Sequence, residues 1–169
     1  MSSFYTQTAL SALALVGSMC LHGVAAPAST AKSPQLVGKA LTIVCKVTPT
    51  SSASTGVVLA QGGGQRGYAL YLKGGKPIFF VRQAGKLYTA KATTSPKGAF
   101  TLEAHLRKDG AMTLAVNGSV VAKGKAPGLF AVQPQDPMSV GQDTLSAVGD
   151  YKAPSPFKGK VQNVKVSTQ

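Results

Sequence analysis

Tryptophan is absent from this sequence of 169 residues, and only five side chains are carboxylates. The scarcity of acids restricts hydrolytic chemistry, because a glycoside hydrolase needs two carboxyl groups facing each other across its groove. No G-x-S-x-G turn is present, although composition leaves open a Ser/His/Asp triad built on His105. No two acids have the spacing that places them on one face of a strand; they are Glu103, Asp109, Asp136, Asp143 and Asp150. We therefore expect no enzyme, and a glycoside-active enzyme ranks third among the functions considered.

Cysteine is equally scarce, with Cys20 and Cys45 as the only two. Met19 stands before Cys20 where a lipoprotein signal needs a small residue, so lipidation is disfavoured. Removal of the N-terminal segment would leave Cys45 unpaired and exclude an intramolecular disulfide. Because the segment around Cys45 alternates apolar and polar residues, we interpret it as a small buried hydrophobic residue rather than a nucleophile.

Residues 1–28 contain no charged side chain and combine an apolar run with small residues. This pattern is typical of a signal peptide, with cleavage after Ala28 or earlier, after Ala25. An uncleaved membrane anchor is the alternative, but polar residues and glycine interrupt the apolar run before it reaches the roughly 20 residues that a spanning helix needs. We expect export to a periplasmic or extracellular location.

The segment from Gly56 to Ala92 predicts a meander of antiparallel strands. Three runs alternate apolar and polar residues with a period of two, which suits a pleated sheet with one buried face. Turns at 73–76 and 83–86 contain glycine, which adopts the positive φ angles of tight hairpins. Asn117-Gly118 is a further hairpin signal.

About ten such strands, with no helical periodicity after the signal, predict an all-β fold of two antiparallel sheets, a β-sandwich of jelly-roll type. A closed barrel is the alternative. We assign residues 29–37 to a mobile lead, because they are small, polar and proline-bearing, and residues 38–169 to a single domain. The parity of Val161 and Val164 indicates a bulge in the last strand.

Five segments occur in a recognisable order: G-V-V-L-A-Q-G-G from Gly56, G-Y-A-L-Y-L-K-G-G-K-P from Gly67, T-L-A-V-N-G-S-V-V-A from Thr113, V-G-Q-D-T from Val140 and P-F-K-G-K-V from Pro156. This order resembles concanavalin A-like, laminin G-like domains, most of all the small C-terminal domain of bacterial arylsulfatases. The resemblance implies a sugar-binding or scaffold module. The sulfatase motif C-x-P-x-R is absent, because Cys45 is followed by Lys-Val-Thr-Pro.

The net charge of +13 is the sharpest functional signal, and every Lys and Arg lies outside residues 1–28. A field of this size attracts polyanions, although excess charge also serves solubility. We predict carbohydrate binding, with an anionic polysaccharide preferred, and name as ligand-binding candidates Lys73, Lys76, Arg82, Tyr71 and Tyr88. Charge also allows a membrane surface, whereas nucleic acid is disfavoured because no reader motif is present. The competing interpretation is a structural domain that docks on an unidentified protein and binds no glycan.

Asp143 and Asp150 flank a loop whose oxygen atoms are suited to calcium. The more common role of such residues is to cap turns through hydrogen bonds to the backbone. We therefore expect no cofactor, with calcium at these two aspartates as the alternative.

The N-terminal pattern generates the first prediction. N-terminal sequencing of the exported protein should begin between Ala26 and Ser29, because the small residues there suit a signal peptidase. Recovery of a membrane-embedded protein that retains Met1 would contradict cleavage and support the anchor.

Overall fold

The computed structural model describes residues 29–30 and 32–169, and this part of the chain contains eleven β-strands and no helix. The strands are β1 (Ser29–Thr30), β2 (Leu41–Pro49), β3 (Gly56–Gly62), β4 (Gly67–Lys73), β5 (Lys76–Gln83), β6 (Lys86–Lys91), β7 (Phe100–Leu106), β8 (Ala111–Val116), β9 (Ser119–Lys125), β10 (Ser139–Val140) and β11 (Gly159–Thr168). No helix in these residues is long and apolar enough to cross a membrane.

The strands form two antiparallel sheets. One has the order β1-β10-β3-β4-β5-β6, and the other has the order β11-β2-β7-β8-β9. The sheets pack face to face and remain separate, so the predicted sandwich is confirmed and the barrel alternative is wrong. The last strand pairs with β2 at one edge, and its register shifts between Gln162 and Lys165, where the parity of the valines predicted a bulge.

The tight turns adopt the backbone angles that their sequences predict. Gly74 and Gly75 have φ angles of 57° and 76°, and they join β4 to β5. In the β8–β9 hairpin, Asn117 and Gly118 have φ angles of 50° and 80°. Successive positive φ values give a turn whose twist matches that of the flanking strands, and this fixes the register of each hairpin.

The main core lies between the two sheets and is built from alternate residues of facing strands. Tyr68, Phe79, Leu102 and Met112 are among its buried side chains. A second, smaller apolar cluster lies on the outer face of the six-stranded sheet, and its members are Val57, Ala60, Ala69, Tyr71, Ile78, Phe80 and Val148. Strands β3 and β4 are consequently buried on both faces, whereas alternation in the sequence predicted burial of one.

The N-terminal side of the domain extends beyond the boundary expected at residue 38. Leu36 is fully buried in the main core, and its backbone N–H donates to Gln133 Oε1 at 2.8 Å. Ser33 Oγ accepts a hydrogen bond from Met138 N at 2.7 Å. Packing of one leucine together with these bonds holds residues 33–37 against the sandwich, which local composition does not reveal.

Cys45 is a free cysteine with 1% of its surface exposed, and it faces the main core from β2. Burial raises the pKa of its thiol to about 12, because the apolar core does not solvate a thiolate. The thiol is thus neutral at physiological pH, as the interpretation of Cys45 as a core residue requires.

Cys45 should therefore resist alkylation in the folded protein. We expect thiol reagents to react with it at least about a hundred-fold more slowly in buffer than in denaturant, since reaction needs both exposure and the thiolate. Mass spectrometry of peptides after timed iodoacetamide treatment measures this ratio for Cys45. Equal rates in the two conditions would contradict the burial.

Candidate functional site

A groove of about 170 Å³ lies on the outer face of strands β4, β5 and β6. The strand register explains which side chains line it, because Tyr71, Ile78 and Lys91 are paired across the three strands. Phe80 and Thr89 form the next row of the same face. The lining is completed by Lys73, Leu87 and Asp150. The groove therefore combines an apolar floor with two lysines and one carboxylate at its margins.

Two aromatic side chains that line this groove, Tyr71 and Phe80, pack with the ring of Tyr151. The ring of Tyr71 stacks on that of Tyr151 with centroids 4.9 Å apart and an interplanar angle of 15°. Phe80 lies 6.1 Å from both rings in tilted arrangements. Only 6% of Tyr71 and 4% of Phe80 is exposed, so both side chains are packed into the protein and present little surface to the groove.

The segment from 141 to 157 holds Tyr151 in place through a buried carboxylate. Asp143 Oδ2 accepts hydrogen bonds from the Tyr151 hydroxyl at 2.7 Å and from Val148 N at 3.3 Å. Arg82 fixes the same segment from the sheet, because its Nε donates to the carbonyl oxygen of Val148 at 2.6 Å. We call this set of contacts the loop clamp; it comprises Asp143, Tyr151, Val148 and Arg82.

Burial changes the protonation chemistry of the loop clamp. The pKa of Asp143 is raised above its usual value of 3.8, chiefly by desolvation, while the hydrogen bonds from Tyr151 and Val148 oppose this increase. Burial also raises the pKa of Tyr151, and the neighbouring Asp143 raises it further. The Tyr151 hydroxyl thus stays protonated and remains a donor to Asp143 at physiological pH.

The structure brings only part of the predicted ligand-binding set together. Tyr71 and Lys73 line the groove, and Lys76 pairs with Lys73 across the adjoining hairpin. Arg82 is engaged in the loop clamp, where Nη1 also donates to Gly85 O at 2.8 Å. Tyr88 packs against the main core, so it lies on the opposite face of the sheet.

Several groove residues were not among the sequence candidates. Phe80, Lys91 and Thr89 occupy the same face as Tyr71, and the alternation of β5 and β6 could have identified them. Asp150 reaches the groove from a segment without regular structure, so strand periodicity contains no signal for it. Arg107 and Lys108 follow β7 in the other sheet, so they do not contribute to this groove.

The two aspartates considered for calcium have different environments. Asp143 is 3% exposed and bonded within the loop clamp, whereas Asp150 is exposed at the groove. Within the described residues, no group of three or more His, Cys, Asp or Glu side chains could hold a metal ion. The observed contacts of Asp143 are those of a turn-capping residue.

His105 lies outside the groove, on the five-stranded sheet. Its Nε2 is 2.7 Å from Glu103 Oε1, and its Nδ1 is 3.1 Å from Thr42 Oγ1. Asp109 accepts hydrogen bonds from Ala111 N and Lys125 Nζ instead. The triad that composition left open, with His105 and Asp109, is therefore not formed.

The raised pKa of Asp143 predicts a specific pH dependence. A folded-state pKa above the unfolded value means that the folded protein binds the proton more tightly, so this stabilising contribution is lost as pH rises through the folded pKa. The free energy of unfolding of the wild type, relative to that of Asp143→Asn, should therefore fall as pH rises above 3.8, the value of an unperturbed aspartate. Urea denaturation at several pH values measures it, and a constant or rising difference would contradict the assignment.

The matched variant Asp143→Ala removes the acceptor altogether. We expect it to destabilise the protein by about 1–3 kcal/mol, because the Tyr151 hydroxyl and Val148 N–H lose a partner. Tyr151→Phe, which removes only the donor, should cost less.

The chain was compared with protein-family models, curated protein sequences and solved structures. The family model for the concanavalin A-like lectin/glucanases superfamily matches residues 23–169. No curated protein sequence matches the chain. Among solved structures, domains LG4-5 of the mouse laminin alpha1 chain are similar, with 23% identity and a TM-score of 0.65. That match covers 84% of this chain and 40% of the laminin chain, so the protein spans two fifths of its length.

Two further structures show the same fold at lower identity. The CBM40 of the Ruminococcus gnavus IT-sialidase has 19% identity and a TM-score of 0.59, with 77% of this chain and 75% of that chain covered. The native heptameric SAP-like pentraxin of Limulus polyphemus has 14% identity and a TM-score of 0.57, with 82% and 67% covered. The two-sheet sandwich and the extent of the family match lead to one conclusion: the chain belongs to the concanavalin A-like lectin/glucanases superfamily.

Proposed function

We propose that this protein is an exported, non-catalytic module that binds an anionic carbohydrate chain in the groove on the six-stranded sheet. The observation behind the proposal is the position of two exposed lysines, Lys73 and Lys91, beside an apolar floor that contains Tyr71 and Phe80. Apolar side chains pack against the C–H groups of sugars, while ammonium groups pair with carboxylate or sulfate substituents.

Electrostatics favours a charged over a neutral chain. Only one carboxylate, Asp150, lines the groove with the two lysines. The whole protein has a net charge of +13, which attracts polyanions, and the groove lysines add local contacts. Affinity that depends on such contacts decreases as salt increases.

A neighbour in fold supports the ligand class. The CBM40 of the Ruminococcus gnavus IT-sialidase has been solved bound to alpha2,3 sialyllactose, and sialyllactose contains a carboxylate. The sequence resemblance to the C-terminal domain of arylsulfatases is compatible with a non-catalytic binding role, because the catalytic site of a sulfatase lies in its separate large domain.

The carboxylates support binding rather than hydrolysis. Glycoside hydrolysis uses two carboxyl groups about 5–10 Å apart, one as acid and one as nucleophile or base. Asp150 is the single acid among the lining residues, and Asp143 is bonded to Tyr151 and Val148. These positions favour binding of a chain over its cleavage, and the competing function to be tested is docking to a protein partner.

Removal of the groove lysines should weaken binding to acidic chains. For the double variant Lys73→Ala/Lys91→Ala we expect the dissociation constant for a polyuronate or sulfated glycan to rise about ten-fold, since exposed ion pairs contribute up to about 1 kcal/mol each. Calorimetry or a glycan array at low and physiological salt measures this, and wild-type affinity should also decrease with added salt.

The variant Lys46→Ala/Lys123→Ala is the matched control, because it removes two exposed lysines of the five-stranded sheet. If this control weakens binding as much as the groove variant, total charge rather than the groove determines affinity. If no glycan binds at low salt, the carbohydrate proposal is wrong and protein docking becomes the preferred function.

A further inference from the structure

A second cleft, of about 230 Å³, lies beside the hairpin loop that joins β3 to β4. It is lined by Gly63, Gly64, Arg66, Asp136 and Ser146, together with glutamines. None of these residues lines the groove on the sheet face. The cleft is smaller than the roughly 300–1,000 Å³ of sites for drug-sized ligands, so it suits a group the size of one sugar residue.

Gly63 lies close to the side chains on the opposite wall of this cleft. A Cβ atom on Gly63 would overlap Ser146 Oγ and lie 2.9 Å from Asp136 Oδ2, so any larger residue would displace the opposite wall. The loop is tied on both sides, since Gly62 N donates to Asp136 O at 3.2 Å and Gly85 N donates to Gln65 O at 2.8 Å. These two bonds hold the backbone of the loop that carries Arg66.

Arg66 is the group in this cleft that lacks a partner. Its side chain is half-buried, and its guanidinium makes no hydrogen bond or ion pair to any residue that the structure describes. Asp136 lines the same cleft but bonds to the Ser146 hydroxyl at 2.6 Å instead. A guanidinium offers a planar fork of donors that matches a carboxylate, so Arg66 is ready to bind an acidic group.

Arg66 also lines a neighbouring hollow of about 150 Å³ with a different character. Phe130, Ala131 and Val132 contribute to this hollow, and Val132 is 51% exposed. Arg66 thus stands between a polar cleft rich in hydrogen-bonding groups and an apolar hollow. A ligand spanning both would need a negative charge near its centre, hydroxyls on one side and an apolar substituent on the other.

We infer that Arg66 and its two flanking hollows form a second binding site, for a single carboxylate-bearing sugar residue with an acetyl substituent. The guanidinium pairs with the carboxylate, and the polar cleft with Asp136 and Gln135 accepts and donates hydrogen bonds to the hydroxyls. The acetyl methyl packs against Val132 and Ala131. This site is separate from the groove on the six-stranded sheet. The inference therefore does not depend on whether a carbohydrate chain binds in that groove.

Four sugars separate the contributions of charge and acetyl group. N-Acetylneuraminate has both features, glucuronate has only the carboxylate, N-acetylglucosamine has only the acetyl group, and glucose has neither. We expect dissociation constants to increase in that order, with the amide signals of Gly63, Gly64 and Val132 shifting in NMR spectra of the protein. Tighter binding of a neutral sugar than of glucuronate, or shifts confined to other regions, would overturn the inference.

Arg66→Gln should weaken N-acetylneuraminate binding about ten-fold or more, because charge-assisted bidentate bonds are the strongest contacts available here. Arg66→Lys keeps the charge without the fork and should give an intermediate value. Arg107→Gln is the matched control, since it removes an exposed arginine on the other sheet and should leave binding unchanged. Thermal unfolding of each variant checks that the fold is retained.

Three results would count against the site. They are unchanged N-acetylneuraminate affinity in Arg66→Gln, an equal loss of affinity in Arg66→Gln and Arg107→Gln, and displacement of the sugar by equimolar inorganic sulfate. The last would indicate an anion site without sugar specificity. The two proposals can fail separately. If Arg66→Gln loses N-acetylneuraminate binding while Lys73→Ala/Lys91→Ala leaves the binding of acidic chains unchanged, this site is supported and the groove proposal is contradicted.

Discussion

The hydrogen bond between Asp143 and Tyr151 is the contact on which the outer face of the six-stranded sheet depends. It joins two ends of a segment that has almost no regular structure, at a donor–acceptor distance of 2.7 Å. Through it, Tyr151 reaches Tyr71 and covers apolar side chains that would otherwise face water. The cost of burying the Asp143 carboxylate, visible in its raised pKa, is offset by the ordering of this second apolar cluster.

Burial on both faces distinguishes this sheet from its partner. The five-stranded sheet alternates buried and more exposed residues along β2 and β7, as a sheet with one solvated face does. In β3 and β4 nearly every residue is buried, because the 141–157 segment covers part of the outer face. The groove lies where that cover meets the sheet, which places Asp150 opposite Lys73 and Lys91.

Most of the basic side chains are not neutralised by a nearby carboxylate. Asp109 contacts Lys125, Glu103 contacts His105, and Asp143 is bonded to Tyr151, whereas most lysines have no carboxylate partner in the described residues. An excess of free ammonium groups creates a broad attraction for polyanions, while specificity must come from the shape and chemistry of the individual sites. The two proposed sites differ in this respect, since one presents exposed lysines and the other a half-buried guanidinium.

Local sequence determined the strands, the glycine turns, the bulge near Val164 and the sandwich architecture, because period-two alternation and positive-φ residues act over a few neighbouring positions. It also identified Tyr71 and Lys73 for the groove. Tertiary structure alone decided that Arg82 holds a loop, that Tyr88 faces the core, and that Leu36 is buried. These outcomes depend on contacts between residues far apart in sequence, such as Arg82 with Val148, and no local period encodes which irregular segment covers which face of a sheet.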